Sequence, residues 1–139
     1  MKQGKTIDQV NIGEKASLAK KITESDVLRF AEVTGDKNPV HIDEEYASQT
    51  RFKERIAHGM LTASLISAVI GNRLPGPGNI YVSQSLEFKA PVKLGDVIEA
   101  EVEIIEKIPE RNRIRLRTVC RNQDGVVVLD GEAVVLPRR

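Results

Sequence analysis

The longest uncharged stretch of the chain is apolar on every side of a helical wheel. It covers residues 57–72, and its large apolar side chains are Met60, Leu61, Leu65, Ile66, Val69 and Ile70. A surface helix would carry a polar stripe, so the pattern predicts a helix surrounded by protein on nearly all sides. The stretch is shorter than the roughly 20 apolar residues that cross a membrane.

Shorter elements are predicted before this helix. Alternating apolar residues indicate a first strand near residues 15–22. Thr23 followed by acidic residues is typical of a helix start, and Gly35 would end that helix. Pro39 interrupts the helical pattern, and Asp43 begins another short helix.

The pattern changes to period two after the apolar helix. It predicts a long strand over residues 80–88 with a bulge near 83–85, then strands over 98–104, 114–120 and 126–136. Glutamates alternate along the second of these strands and arginines along the third, so antiparallel pairing would set the two charged faces opposite each other.

This order of elements predicts an α+β fold, with a long antiparallel sheet curling around one apolar helix. No repeat or linker interrupts residues 1–139, and the length suits a single domain. One sheet covers only part of a helix, so we expect a second copy to cover the rest and form a homodimer.

Composition narrows the function classes. Lys and Arg total 21 and Asp and Glu total 20, which gives no electrostatic reason to expect nucleic acid or an anionic membrane as a partner. The first residues lack the apolar core of a secretory signal, so we expect a cytoplasmic protein. The single cysteine, Cys120, is most simply a small core residue.

Only two histidines are present, His41 and His58, and the ligand spacing of a zinc site is absent. Asp36 and His41 can converge in a loop bent at Asn38 and Pro39, and a carboxylate beside an imidazole can move protons to and from water. A structural role is an equal alternative, in which Asp36 ends a turn and His41 packs. For His58, packing or capping beside the helix start is the simpler interpretation.

Residues 30–46 together with 56–61 resemble the hydratase motif of the MaoC-like (R)-specific enoyl-CoA hydratases. The motif residues are Asp36, Asn38, Pro39 and His41, followed by His-Gly-Met at His58, Gly59 and Met60. Residues 80–92 also resemble the family, so the likeness extends over roughly residues 10–136. It implies a hot-dog fold, which agrees with the helix and sheet predicted from the pattern.

The resemblance implies reversible syn hydration of a trans-2-enoyl-CoA to an (R)-3-hydroxyacyl-CoA, without a cofactor or metal. Asp36 would be the base, His41 would orient the water and help return a proton to C2, and the Gly59 N–H would polarise the thioester carbonyl. Asn38 would hold the loop beside the substrate. Ser67 would line the acyl pocket, although packing is an equal alternative. Such hydratases can serve polyester synthesis or fatty-acid metabolism.

Two rival functions use the same acyl-CoA chemistry. A hot-dog acyl-CoA thioesterase would also polarise a thioester at a helix N-terminus, and release of free thiol would distinguish it from a hydratase. A non-enzymatic acyl-CoA sensor would need an output module, for which the chain has no room. The intact pairing of Asp36 with His41 favours the hydratase. Candidate residues for the CoA phosphates are Arg73, Lys89 and Lys93.

Overall fold

The computed structural model describes residues 2–139 as an antiparallel sheet with four helices, the longest of which packs against the sheet. The helices are α1 (Glu24–Thr34), α2 (Pro39–Ile42), α3 (Glu44–Ser48) and α4 (Gly59–Asn72). The strands are β1 (Lys15–Lys21), β2 (Ile80–Gln84), β3 (Glu87–Phe88), β4 (Val97–Ile108), β5 (Arg113–Arg121) and β6 (Val127–Leu136). A 3₁₀ turn at Pro109–Arg111 joins β4 to β5.

The sheet has the strand order β1-β4-β5-β6-β2, and β3 also pairs with β6. Every pairing is antiparallel. Helix α4 lies against β4, β5 and β1, where alternate strand residues point inward and are fully buried. The largest of these side chains are Ile98 and Ile104 on β4 and Ile114 and Leu116 on β5. The predicted architecture of a sheet around an apolar helix is therefore present.

Helix α4 begins at Gly59, two residues later than the sequence pattern predicted, and His58 is its N-cap. The side of α4 that faces the sheet is buried, but its outer side is open in the single chain. Met60 is 56% exposed, and Ser64 and Ser67 are exposed too. The expectation of protein on nearly all sides is thus wrong for the chain taken alone.

The strand predicted over residues 80–88 is split into β2 and β3. The register of β2 against β6 shifts between Tyr81 and Ser83, close to the predicted bulge. Gly131 on β6 lies opposite the break, where a Cβ atom would fall 1.8 Å from the carbonyl oxygen of Ser85. Because two backbones approach this closely, only glycine fits at that position.

The predicted opposition of charged faces on β4 and β5 is present in part. Glu103 lies opposite Arg117, but Glu101 lies opposite Val119. A bulge between Ile104 and Glu106 then changes the register, so that Arg115 faces Glu106. Arg115 also pairs with Glu132 on β6 at 2.9 Å. The bulge, which the alternating pattern did not reveal, decides which charges meet.

Helix α1 begins and ends at the predicted residues. Thr23 Oγ1 accepts from the Asp26 N–H at 3.1 Å, and Asp26 Oδ2 accepts from the Thr23 N–H at 2.9 Å, which completes a capping box. Gly35 ends the helix with φ 81°, a left-handed conformation that suits glycine. The two ends of α1 therefore set the point at which the chain leaves the helix, just before Asp36. No helix among residues 2–139 is long and apolar enough to cross a membrane.

We predict that Gly131→Ala destabilises the fold by about 3 kcal/mol or more, because the added methyl group cannot coexist with the Ser85 carbonyl without moving a strand. Urea denaturation measures the loss. Asp130→Ala, one residue earlier on the same strand, is the control and should change the free energy of unfolding by no more than about 0.5 kcal/mol. Equal losses in the two variants would contradict the close approach.

Candidate active site

Asp36 lies in a turn that its own neighbours shape. The Asp36 N–H donates to Thr34 Oγ1 at 3.1 Å, and the Asn38 N–H donates to Asp36 Oδ1 at 3.2 Å. Gly35 directs the chain away from α1 just before this turn. The Asp36 side chain is exposed, so it stays accessible to a small molecule while its backbone is held.

Asn38 organises the single turn of helix that carries His41. Asn38 Oδ1 accepts from the Val40 N–H at 3.4 Å, and Pro39 occupies the first helical position, where proline is favoured. The His41 N–H donates to the Asn38 carbonyl at 3.0 Å. The side chain of Asn38 therefore acts within the loop, and Asn38 is not among the residues that line the cavity described below.

Three hydrogen bonds tie this segment to the start of α4. The Ile56 N–H donates to the Val40 carbonyl at 3.3 Å, and His41 Nδ1 bonds to the Ile56 carbonyl at 2.7 Å. His58 Nε2 bonds to the Asp36 carbonyl at 3.0 Å. These contacts join residues that are 15 to 22 positions apart in the chain. They bring Asp36, His41 and the N-terminus of α4 to one place.

The hydrogen bond to Ile56 fixes the tautomer of His41. A carbonyl oxygen only accepts, so Nδ1 carries the proton and Nε2 of the neutral ring keeps a free lone pair. The pKa of His41 is lowered, chiefly by burial and also by His58, while the Ile56 carbonyl and Asp36 act in the opposite direction. His41 is therefore neutral at pH 7 and can accept a proton.

His58 lies against His41 in the protein interior. Its ring is 2% exposed and stacks on the His41 ring, with the ring centroids 3.9 Å apart and an angle of 29° between the planes. Phe30 lies 4.8 Å away in a tilted arrangement. The His58 side chain makes no capping bond to α4, and its Nδ1 atom is buried without a partner among residues 2–139.

The N-terminus of α4 offers backbone donors to the same space. The first helical hydrogen bonds run from the Leu61 and Thr62 N–H groups to the His58 carbonyl. In the described part of the chain, the Gly59 and Met60 N–H groups have no such acceptor. The ring of Phe88 lies against Gly59, where a Cβ atom would fall 2.6 Å from Phe88 Cε1. Glycine thus keeps the helix start open.

A cavity of about 490 Å³ lies at this helix start. Asp36, His41 and His58 form its polar part, together with Gly59. Its apolar wall consists of Ala57, Met60, Phe88, Ala90, Pro91, Val92, Val128 and Leu129. Ser67 lies outside it, on the exposed outer side of α4. Asp36, His41 and Gly59 thus share one cavity, whereas Asn38 and Ser67 do not border it.

Several residues of the site carried no signal in the sequence. Arg55 is 8% exposed, and its Nε donates to the His41 carbonyl at 2.8 Å while NH1 bonds to Glu24 at 3.1 Å. Nothing in the local pattern distinguishes this buried arginine from an exposed one. Thr62 and Phe88 also line the cavity. Their place in the site becomes visible only in the folded chain, where both lie near Gly59.

The three basic candidates for the CoA phosphates lie in different places. Lys89 borders the cavity and pairs with Glu87 at 3.3 Å. Lys93 pairs with Glu54 at 3.4 Å, and Arg73 bonds to the Ser17 carbonyl. Arg51, which the sequence did not suggest, borders the cavity as well and lies over the Phe52 ring. Among the described residues, Lys89 and Arg51 are the lysine and arginine side chains that border the cavity.

The cavity also brings together a set of side chains that could ligate a metal ion. Asp36, His41 and His58 each place one ligand atom within 4.8 Å of the others. The two imidazoles are stacked, however, so their in-plane lone pairs do not converge on one point as tetrahedral zinc requires. The metal-free chemistry expected from the sequence therefore stays our prediction.

Comparison with known proteins identifies the family. Residues 8–124 match the MaoC-like domain family. The chain belongs to the MaoC-like dehydratases. The unliganded R-hydratase PhaJ1 from Pseudomonas aeruginosa is 50% identical, with a TM-score of 0.94, and the match covers 99% of this chain and 88% of that one. The hot-dog fold implied by the resemblance is thereby confirmed.

Curated relatives agree with this assignment to the MaoC-like dehydratases. A 3-hydroxybutyryl-CoA dehydratase from Methylorubrum extorquens is 55% identical over 92% of this chain and 81% of its own length. An (R)-specific enoyl-CoA hydratase from Rhodospirillum rubrum is 53% identical over 93% of this chain and 89% of its own length. The similarity thus covers nearly the whole chain rather than one motif.

We predict that His41 makes stability depend on pH in mildly acidic solution. Its pKa is lowered in the folded protein, so its contribution to stability is complete above the ordinary value of 6.5 and is lost as the pH falls through the folded value. Urea denaturation over about pH 5–7.5 measures this loss. The decline should be smaller in His41→Gln, and an identical decline in that variant would contradict the assignment.

Proposed function

We propose that this chain catalyses the reversible syn addition of water to a trans-2-enoyl-CoA, giving an (R)-3-hydroxyacyl-CoA. The observation that carries the proposal is the meeting, in one cavity, of the Asp36 carboxylate, the neutral His41 ring and the unpaired N–H of Gly59. The relatives named as an (R)-specific enoyl-CoA hydratase and a 3-hydroxybutyryl-CoA dehydratase support the same reaction class.

The thioester oxygen would bind at the start of α4. An α-helix carries about half a positive charge at its N-terminus, and the N–H of Gly59 is available as a donor there. A hydrogen bond to the carbonyl oxygen withdraws electrons from the conjugated double bond and makes C3 electrophilic. The same donor stabilises the enolate oxygen that forms when water attacks.

Asp36 and His41 would hold the attacking water. As the C3–O bond forms, one O–H bond of the water breaks and Asp36 takes that proton. The electrons of the double bond move to the thioester oxygen. They return when the proton held by Asp36 passes to C2, with His41 helping to relay it, so that Asp36 ends as the carboxylate again. The sum is addition of one water, and delivery of both groups from the side of Asp36 and His41 makes the addition syn.

This scheme needs no cofactor or metal, because the thioester itself supplies the activation and the protein supplies the base and the donor. The acyl-CoA is the substrate rather than a cofactor. Arg51 and Lys89 border the cavity and would meet the anionic part of the CoA. A cytoplasmic location stays a prediction from the sequence.

We also propose a homodimer. Strand β2 is an edge of the sheet, and its outer residues expose apolar surface at Ile80, Tyr81 and Val82. The open side of α4 exposes Met60 and presents Ser64 and Ser67. An unpaired edge strand readily adds another strand, so a second copy joined at β2 could cover both surfaces. In that arrangement Ser67 would face the partner.

We predict that Asp36→Asn and His41→Gln each lower the hydration rate of crotonyl-CoA by about 10²–10⁴-fold while the protein stays folded, because each removes a group that handles the proton. Loss of the enoyl absorbance measures the rate, and thermal unfolding checks the fold. Asp43→Asn is the matched control, since Asn can still cap α3 as Asp43 does. Near-normal turnover in either site variant would exclude the assignment.

The same assay separates the hydratase from an acyl-CoA thioesterase. A thiol reagent added to the reaction would stay colourless during hydration, because the thioester bond is kept. Release of CoA thiol at the rate at which absorbance falls would favour the thioesterase.

We predict that removing the N–H of Gly59 lowers kcat by about 10²–10³-fold. Proline at this first helical position removes the N–H without breaking the helix, and the ψ of 134° at His58 is compatible with a following proline. Any side chain here also meets Phe88. Both Gly59→Pro and Gly59→Ala are therefore made in a Phe88→Ala background.

The alanine variant in that background controls for the added Cβ atom, so the ratio of the two rates isolates the N–H. Equal kcat values for the proline and alanine variants would show that Gly59 does not donate to the reacting thioester.

A further inference from the structure

We propose that His58 is a positioning residue that holds the Asp36 loop and the His41 ring in register with the start of α4. The role rests on the proposed hydratase function, because it is defined by what Asp36 and His41 do. This role requires two properties of the His58 side chain: an N–H donor at Nε2, and a flat ring face that stacks on His41.

The donor acts on the Asp36 backbone. His58 Nε2 lies 3.0 Å from the Asp36 carbonyl oxygen, which only accepts, so Nε2 carries the proton. The Asp36 N–H is already used by Thr34 within the same turn. The bond from His58 is therefore the contact that ties the peptide of Asp36 to the helix whose N-terminus would bind the thioester.

The flat face acts on His41. The two imidazoles stack at 3.9 Å, and His58 is almost completely buried between His41 and Phe30. The stack limits how far the His41 ring can tilt, while the Ile56 carbonyl fixes its Nδ1 edge. Together the two contacts leave His41 Nε2 as the ring atom available for proton transfer.

The remaining nitrogen of His58 adds no further hydrogen bond to the site within residues 2–139. Nδ1 is buried without a partner there, so His58 acts on the site through Nε2 and its ring face. Burial chiefly lowers the pKa of His41, and the neighbouring His58 lowers it further. The other charged groups near His41 are the Asp36 carboxylate, the Arg55 guanidinium on its carbonyl, and Arg51 and Lys89 at the cavity wall.

Three substitutions separate the two properties. His58→Phe keeps a flat face and removes the donor, His58→Gln keeps a donor at similar reach and removes the stack, and His58→Leu removes both. Because a misplacement near 1 Å can cost about 10²-fold, we expect kcat on crotonyl-CoA to fall about 10- to 100-fold in His58→Phe. KM should change less than about threefold, since the wall of the cavity is kept. His58→Gln should recover at least part of kcat, and His58→Leu should be the slowest.

A second measurement reports on His41 without any substrate. The chain has two histidines, so His58→Phe leaves His41 as the single imidazole, and its proton NMR signal can be titrated directly. The pKa of His41 should rise in this variant relative to the wild type, because the lowering contribution of His58 is gone. His41→Gln assigns the two wild-type signals.

Two results would overturn the proposal. A folded His58→Phe with kcat within about twofold of the wild type would exclude the donor role, and an unchanged His41 pKa would exclude electrostatic coupling between the two imidazoles. If His58→Phe does not fold, His58→Ala is tested for rescue of kcat by imidazole but not by 1-methylimidazole, which lacks an N–H. Equal rescue by both, or by neither, would exclude the donor role. If the wild type fails to hydrate crotonyl-CoA, the proposed function fails, and the NMR titration still tests the contact.

Discussion

The site depends on how residues 36–41 are held against residues 56–58. Three hydrogen bonds make this junction: Ile56 N–H to Val40, His41 to Ile56, and His58 to Asp36. Neither segment has a long helix or strand of its own to keep it in place. Without these bonds the carboxylate, the imidazole and the helix N-terminus would be three separate features of the surface.

The packing of α4 against the sheet explains why the N-terminus of this helix is suited to bind a polar ligand atom. The sheet buries one side of α4, and the unpaired N–H groups at its N-terminus face a largely apolar cavity. Hydrogen bonds and dipoles are stronger there than in water. A side chain at the first helical position would meet the Phe88 ring, so Gly59 leaves this end of the helix open. In the proposed reaction, burial, helix polarity and Gly59 would act together on the thioester oxygen.

Much of the fold could be predicted from local pattern, because local rules decide it. Thr23 and Gly35 end α1 through capping, and period-two alternation marks β4 and β5. The family motif indicated that Asp36 and His41 meet. The local pattern missed features that depend on contacts between distant parts of the chain. These are the bulge that pairs Arg115 with Glu106, the buried Arg55, and the contacts of His58.

The stereochemistry of the product tests the central claim most directly. Crotonyl-CoA is hydrated in deuterium oxide, and the 3-hydroxybutyryl-CoA is analysed for its configuration at C3 and for the face that carries deuterium at C2. A base and a proton relay on one side of the cavity predict that deuterium and hydroxyl add to the same face, and the proposed reaction predicts the (R) alcohol. An (S) product, or deuterium on the opposite face, would contradict the arrangement of Asp36, His41 and Gly59 proposed for this protein.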